Sequence, residues 1–190
     1  MGLAAGCGAT TLARALAATL ARRDPCGAAV VTGSLAVAGF SAPGRSAARL
    51  AARLGTESVA TKTAGRLCLA ATDDPAALAR ATARLAPVVL DLPRDRPPAA
   101  AVTVALLSIL VAPADVEPAL AELAAGSLDP PPLIVVTGAA RDSAWRERGA
   151  LLLPWSRIGA GLATAGFEPR GPFGAAVTRI ADGCEASECA

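Results

Sequence analysis

A glycine-rich stretch near the amino end of the chain contains residue types that can bind phosphate. It reads Gly6-Cys7-Gly8-Ala9-Thr10-Thr11 and precedes a helix-forming stretch, Leu12 to Arg23. Glycines allow backbone N–H groups to converge on a phosphate, and the amino end of a helix adds a partial positive charge. A threonine directly after such a turn can cap the helix and can also ligate Mg²⁺. These six residues are the candidate nucleotide-binding residues.

The same stretch lacks the residue that supplies charge in a working phosphate loop. Ala9 occupies the position at which the phosphate-loop pattern has a lysine, and Lys62 is the only lysine of the chain. Glycines before an alanine-rich helix also occur in an ordinary capped connection between a strand and a helix. From these residues alone two interpretations stay open, a phosphate loop and a plain capped turn.

Asp91 is a second candidate, because it ends an apolar stretch that begins at Pro87. This stretch is typical of a buried strand. Open α/β sheets bind ligands beyond the carboxyl ends of their strands, so Asp91 lies where an acid that organises Mg²⁺ or water would lie. An aspartate that only caps the following turn fits this position equally well.

The elements that must position these residues alternate between strands and helices. Apolar runs predict strands at 28–32, 66–71, 87–94, 106–111, 133–138 and 151–155. Helical periodicity predicts helices at 12–23, 46–54, 75–85, 116–125, 158–165 and 173–181. In the helix at 116–125, Val116, Leu120 and Leu123 are expected to face inward. This alternation predicts one α/β domain over residues 1–190, with a mostly parallel sheet between two layers of helices.

Composition excludes several classes of function. The net charge is only +2 and the arginines are scattered, so there is no direct sign of nucleic-acid binding. The absence of histidine excludes histidine acid–base catalysis and histidine metal ligation. The five cysteines lack zinc-type spacing, and Cys184 and Cys189 favour a solvated tail over a metal site.

The same composition bears on the compartment. Free thiols without a signal peptide predict a cytoplasmic protein. The longest apolar run, 99–112, is too short for a transmembrane segment.

Taken in order, several stretches resemble the ParA/MinD group of phosphate-loop ATPases, specifically its degenerate branch. That branch comprises the CpaE/TadZ proteins of pilus and secretion-system assembly and the septum-site-determining (Ssd) proteins. Residues 6–13 are similar to its loop, in which alanine often replaces the lysine, and 88–94 resemble its "VVDLPR" strand. Residues 109–116 resemble its "LLVVPAEV" segment, 133–138 its next strand, and 166–173 its "G-x-x-P…RGPL" stretch. The similarity covers most of the chain and thins between residues 33 and 65.

The resemblance implies a three-layer, P-loop NTPase-like fold that binds ATP or ADP, with Mg²⁺ associated with Thr10 and Asp91. It also implies protein partners in a pilus, secretion or division machinery, and a homodimer across the nucleotide face. The loop of the ParA/MinD group has two lysines, an early signature lysine and the later phosphate-binding one. In this sequence Ala4 occupies the first position and Ala9 the second. Thr32 ends the strand that carries an aspartate in active relatives. Phosphoryl transfer depends on positioning and charge stabilisation. No catalytic residue is therefore assigned, and hydrolysis is expected to be weak or absent.

The expected function is a CpaE- or Ssd-like regulator of pilus or secretion-system assembly or of septum position. One alternative is a working ParA/MinD-type ATPase whose lysine comes from elsewhere, for which Lys62 is the only candidate. Another is a structural α/β domain whose loop binds nothing.

The resemblance also implies a central strand before the loop, yet only Met1 precedes Gly2. A sheet without that strand is expected to have a gap among Val30, Leu90 and Leu110 and unpaired backbone in the core. The expectation that follows is a chain whose first central strand is missing and whose Met1 is a mis-assigned start.

Overall fold

The computed structural model describes residues 1–32, 60–64, 67–71, 75–92, 105, 107–138 and 143–188. Within these ranges strands and helices alternate along the chain. The helices are α1 (Ala9–Arg23), α2 (Pro75–Ala83), α3 (Pro118–Gly126), α4 (Ser143–Glu147), α5 (Arg157–Thr164) and α6 (Gly171–Glu188). The strands are β1 (Ala28–Thr32), β2 (Ala60–Ala64), β3 (Leu67–Ala71), β4 (Val88–Asp91), β5 (Ile109–Pro113), β6 (Leu133–Thr137) and β7 (Leu151–Leu153). The predicted helix at 46–54 and Cys189 lie outside the described residues.

The strands form a four-stranded sheet in the order β2-β3-β1-β4 and a three-stranded sheet in the order β5-β6-β7. All described neighbours are parallel except β2, which runs antiparallel to β3. Parallel neighbours need crossover connections, and the helices in those connections cover the sheet faces. The predicted mostly parallel α/β architecture is confirmed, with one antiparallel edge strand that the apolar pattern did not indicate.

Helix α1 holds the two sheets together through an apolar core. Its predicted stripe of Leu12, Leu16 and Leu20 is buried, with at most 8% of each residue exposed. These leucines pack in one cluster that reaches both sheets and α6 and includes Ala28, Val111, Val135, Leu153, Val177 and Ile180. Because most other residues of α1 are alanine, the helix can lie close to its neighbours, and Ala17 and Ala18 contact Val30.

A cleft separates β4 from β5, and the first three residues of the chain pair along one side of it. The Val111 N–H donates to the Met1 carbonyl oxygen at 2.8 Å, and the Leu3 N–H donates to the Val111 carbonyl oxygen at 2.7 Å. The Met1 ammonium group donates to the Ile109 carbonyl oxygen at 2.9 Å. Gly2 thus forms a parallel bridge with Val111. On the other side of the cleft, β4 pairs only with β1 among the described strands.

The cleft has a volume of about 900 Å³, and most of its walls are apolar. It is lined by Leu12 and Leu16 of α1, Val89 of β4, Leu107 before β5, and Ile109, the first residue of β5. The expected gap therefore exists between the strands that contain Leu90 and Leu110. The expectation for Val30 is wrong, because β1 is paired on both edges, with β3 and with β4.

Helix α3 presents a different face to the sheet than its leucines predict. Leu120 is 56% exposed and Leu123 is 74% exposed, whereas Ala121 and Ala125 are buried. Ala121 packs in a cluster with Val136 of β6. The small alanine side chains let the helix approach the sheet closely, so the inward assignment of Leu120 and Leu123 is wrong.

Candidate functional site

The glycine-rich loop runs from the paired residues beside β5 into α1. Gly6 and Gly8 have φ angles of 73° and 87°, in the left-handed region that glycine adopts without strain. Gly8 is the N-cap residue of α1, no side chain caps the helix, and its first turn contains no acidic residue. Thr10 therefore does not cap α1 as predicted, and lies within the first turn. No side chain of the first turn of α1 itself neutralises the positive end of the helix.

The other loop residues divide between the core and the helix start. Cys7 is 5% exposed, and its N–H donates to the Ala4 carbonyl oxygen at 3.3 Å, so it packs in the core. Ala9 is half-buried and packs against the core cluster below α1. Thr11 is also half-buried, and Thr10 is exposed. The predicted nucleotide-binding residues are thus contiguous in space as well as in sequence, while their role in binding stays a prediction.

Thr137 anchors the loop and is a site residue that sequence reasoning missed. It is the last residue of β6, and its Oγ1 donates to the Cys7 carbonyl oxygen at 2.7 Å. A Cβ atom on Gly8 would lie 3.7 Å from the methyl group of Thr137. Its position at the carboxyl end of a strand, the same signal that singled out Asp91, could have indicated it.

Asp91 ends β4, where it lies in register with Thr32 at the end of β1. Its carboxylate accepts a hydrogen bond from the side chain of Thr10. Burial raises the pKa of Asp91, and the Thr10 hydrogen bond, the Met1 ammonium group and the Arg14 guanidinium oppose that rise. The two residues that the sequence associated with Mg²⁺ therefore meet at the carboxyl end of β4.

Arg14 is the second site residue that the sequence did not single out. It follows Thr10 by four residues on α1, so the two side chains lie on the same face of the helix. Burial lowers the pKa of the Arg14 guanidinium, and the nearby Asp91 carboxylate raises it. In the sequence, only its four-residue spacing from Thr10 could have indicated that Arg14 belongs to the site. That spacing does not reveal which strand the shared helix face contacts.

This arrangement fits an anion better than it fits a divalent cation. The uncapped end of α1 suits a phosphate group. Thr10 and Asp91 supply oxygen atoms of the kind that Mg²⁺ binds. However, the Arg14 guanidinium and the Met1 ammonium group both lower the pKa of Asp91, and their positive charge would also oppose a divalent cation there. In the described part of the chain no cluster of three or more His, Cys, Asp or Glu residues could hold a metal ion.

Lys62, the only lysine of the chain, lies in β2 at the far edge of the four-stranded sheet, with β3 and β1 between it and β4. Three strand spacings place its backbone roughly 14 Å from β4. This backbone position does not favour Lys62 as a replacement for the missing lysine.

The fold matches that of a solved protein. The crystal structure of a ParA family ATPase from Chlorobium tepidum TLS superposes with a TM-score of 0.64, over 95% of this chain and 96% of that chain. This chain has a ParA-like fold. The two sequences are 12% identical, so the likeness concerns the fold. No protein-family model and no curated protein matches the sequence.

Within the ParA-like fold the candidate site has two halves. The loop and the start of α1 form the candidate anion-binding half, and Asp91 with Thr10 and Arg14 forms the charged half beside it.

None of the described helices combines the length and the apolar character that a membrane span requires.

Proposed function

We propose that this chain is a ParA/MinD-like regulator that binds ATP or ADP at its glycine-rich loop and hydrolyses ATP weakly or not at all. The observation that carries the proposal is the uncapped amino end of α1, entered through left-handed glycines and flanked by the Thr10–Asp91 hydrogen bond. Phosphate oxygens are the acceptors that such a helix end recognises.

Binding relies on backbone groups and on local charge. The first turn of α1 carries no acidic residue that would repel a phosphate. The Thr137 bond to Cys7 fixes the loop before any ligand arrives, which lowers the entropy cost of binding. Without a lysine, the affinity is expected to be weaker than that of a complete phosphate loop.

Hydrolysis is disfavoured because the lysine position of the loop carries no positive charge to stabilise the transferred phosphoryl group. Ala9 has no cation, and Lys62 lies on the far edge of the sheet. Thr32, at the end of β1, cannot act as the carboxylate that active relatives of the resembled group use to position water. Loss of one stabilising contact costs on the order of 10²–10³ in rate, and here more than one is absent.

The cellular role that we propose is that of the CpaE/TadZ or Ssd proteins, in pilus or secretion-system assembly or in septum placement in the cytoplasm. The ordered series of similar stretches supports it, together with the ParA-like fold. Such a regulator acts through protein contacts, including a homodimer across the nucleotide face. Large exposed apolar side chains offer surface for such contacts: Leu120, Leu123, Trp155, Ile158 and Phe167.

Isothermal titration of the full chain with ADP and with ATP tests the proposal. Saturable binding is expected, with about a tenfold loss of affinity in Thr10→Ala. Thr164→Ala is the matched control, because the Thr164 hydroxyl donates to Ala160 within its own helix and should leave binding unchanged. Ala9→Lys should tighten binding, since it restores the missing positive charge. Absence of binding by both the wild-type chain and Ala9→Lys would leave a structural domain as the better description.

A further inference from the structure

The cleft between β4 and β5 leaves apolar strand surface uncovered. All four residues of β4 are half-buried, whereas the first four residues of the neighbouring strand β1 are buried. On the other side of the cleft, Leu107 and Ile109 are also half-buried. A continuous apolar surface of this kind marks a site for an apolar ligand or partner.

The cleft passes between two helices that lie on opposite faces of β4. Val89 packs against the cluster that includes Ala17 and Ala18 of α1, and Leu90 packs against the cluster that includes Ala76 of α2. Successive residues of a strand face opposite sides of the sheet, so α1 covers one side of the cleft and α2 the other. Side chains of both helices line it.

The apolar part of the cleft is long. Leu12, Leu16, Leu20 and Arg23 of α1 all line it. A helix rises by about 1.5 Å per residue, so the positions from Leu12 to Arg23 span roughly 17 Å. The volume of the cleft, about 900 Å³, lies within the range of roughly 300–1,000 Å³ that is common for small-molecule sites. An extended hydrocarbon chain fits these dimensions.

Positive charge is concentrated at one end of the cleft. Arg23 ends α1, Arg80 lies in the last turn of α2, and Arg84 directly follows α2. All three line the cleft, and Asp24 is the only acid among the described residues of its walls. Arg23 pairs with Asp182 at 2.8 Å. Arg80 and Arg84 are exposed, and neither makes an ion pair with another described residue. This end therefore presents two guanidinium groups to an incoming anion.

Short connections place these arginines at the amino end of β4. Residues 84–87 join α2 to β4, and residues 24–27 join α1 to β1. The Ala29 N–H donates to the Pro87 carbonyl oxygen at 2.9 Å, so β1 and β4 begin side by side. Gly8 and the glycine-rich loop lie at the opposite end of α1. A ligand at the arginines would therefore not occupy the loop.

We propose that the cleft binds a long-chain fatty acid, with its carboxylate at Arg80 and Arg84 and its acyl chain between β4 and β5. A guanidinium group matches a carboxylate in charge and can form two parallel hydrogen bonds with it. The carbonyl groups at the carboxyl ends of α1 and α2 carry partial negative charge, so the arginine side chains, not the helix ends, must recognise the anion. A ligand that is charged at one end and apolar along the rest matches this distribution.

A further cation in the cleft walls, the Met1 ammonium group, is a weaker partner for the carboxylate. It already donates to the Ile109 carbonyl oxygen at 2.9 Å, and burial lowers its pKa. The carboxylate is therefore assigned to the amino end of β4, and the methyl end of the acyl chain points toward Leu12.

Calorimetric titration of the full chain with monomeric dodecanoate, without nucleotide, tests the proposal. Saturable binding is expected, at least tenfold tighter than that of dodecyltrimethylammonium, which has the same chain length and the opposite charge. Octanoate should bind at least tenfold more weakly than dodecanoate, because each buried methylene contributes about fourfold in affinity. Absence of dodecanoate binding, or equal binding of the two twelve-carbon ligands, would overturn the proposal.

The double substitution of Arg80→Gln with Arg84→Gln tests the carboxylate position. It should weaken dodecanoate binding at least tenfold without weakening dodecyltrimethylammonium binding, a difference that a general loss of structure would not produce. Both arginines are exposed, so the fold should be retained. Arg146→Gln is the matched control, because Arg146 is an exposed arginine of α4 that does not line the cleft. Unchanged dodecanoate binding in the double variant would refute the assignment of the carboxylate.

Two other occupants of the cleft give different results. If a further strand fills the cleft, or if the cleft closes in solution, dodecanoate will not bind and the proposal fails. Binding to phosphatidylglycerol vesicles without binding of monomeric dodecanoate would also overturn it, in favour of a membrane surface. None of these titrations contains nucleotide, so their outcome does not depend on the function proposed for the loop.

Discussion

Thr137 and Cys7 are joined by a hydrogen bond from the Thr137 Oγ1 to the Cys7 carbonyl oxygen, 2.7 Å in length. A second acceptor, the Ala112 carbonyl oxygen, lies 3.4 Å from the same hydroxyl. Because this distance is longer, the hydroxyl donates its single proton to the Cys7 carbonyl oxygen. One end of this bond is the last residue of β6, and the other lies in the loop just before α1. The second sheet therefore helps to hold the loop in its observed conformation.

Thr137→Val removes this hydrogen bond while keeping the shape of the side chain. The free energy of unfolding should fall by about 1 kcal/mol, the net contribution of a typical intramolecular hydrogen bond. ADP affinity should also fall several-fold, because the loop must then be ordered on binding. Urea denaturation and calorimetric titration measure the two effects. Thr164→Val is the matched control, since the Thr164 hydroxyl donates to the Ala160 carbonyl oxygen within α5 and makes no bond to the loop. Equal effects of the two substitutions on ADP binding would contradict a special role for Thr137.

Gly8 and Gly126 should respond in opposite directions to alanine. Gly8 has a φ of 87°, a conformation that costs an alanine about 1–2 kcal/mol. Gly126 ends α3 without a positive φ, and a Cβ atom there meets nothing within 4 Å. Gly8→Ala should therefore destabilise the chain by about 1–2 kcal/mol, and Gly126→Ala should stabilise it by up to about 1 kcal/mol. Thermal unfolding of the two variants gives both values. A Gly8→Ala variant as stable as the wild type would show that the loop relaxes to another conformation.

Much of this architecture follows from apolar periodicity. The strand at 28–32 is observed at the predicted residues, and the leucine stripe of α1 faces the core as predicted. The pattern does not reveal β2, in which Lys62 and its neighbours are too polar to stand out as a strand. It also does not reveal α4, because a five-residue helix is shorter than two turns.

The candidate site was less predictable than the fold, because tertiary packing assembles it. Local patterns single out the loop and Asp91 separately, and the structure brings Thr10 and Asp91 together. Arg14 and Thr137 carry no local signal of comparable strength. Their roles depend on which strand the first turn of α1 contacts and on where β6 ends, and neither can be read from residue spacing.

Cys68 should make the stability of the chain fall at alkaline pH. Burial raises the pKa of the Cys68 thiol from 9.0 to about 11. The folded state therefore holds this proton more tightly than the unfolded state does, and the associated stability is complete below about pH 9. It is lost as the pH rises through about 11, with a total loss of roughly 2–3 kcal/mol. Urea denaturation between pH 8 and pH 11 measures it.

Cys68→Ala should reduce the fall in the free energy of unfolding at alkaline pH. Cys26→Ala should leave that fall unchanged, because Cys26 is exposed. Tyrosine and lysine add little to this pH dependence, since the chain has no tyrosine and a single lysine. An identical pH dependence in Cys68→Ala and in the wild type would show that another group causes the decline.

The cleft between β4 and β5 should accept one more parallel strand attached to the amino end of Met1. Met1 and Leu3 already pair with Val111, and the Met1 nitrogen donates to the Ile109 carbonyl oxygen. Because Gly2 bridges Val111 in parallel, the residue added directly before Met1 would lie opposite Ile109, and the next two would lie opposite Ser108 and Leu107 on the wall of the cleft. Its other edge would face β4, which pairs only with β1 among the described strands. Five added residues of the type Val-Ala-Val-Val-Val would extend the ladder by about 3.3 Å per residue.

The apolar extension should raise the free energy of unfolding by about 3 kcal/mol or more, because each fully buried valine contributes about 1.5 kcal/mol or more. It should also reduce the binding of a hydrophobic dye, since the walls of the cleft would no longer be accessible. A five-residue Gly-Ser extension is the matched control, because it supplies the same backbone without apolar side chains. If both extensions change stability equally, the apolar walls do not select a strand and the cleft closes in solution by another rearrangement. A gain confined to the apolar extension would show that the interrupted sheet is completed by strand pairing between β4 and β5.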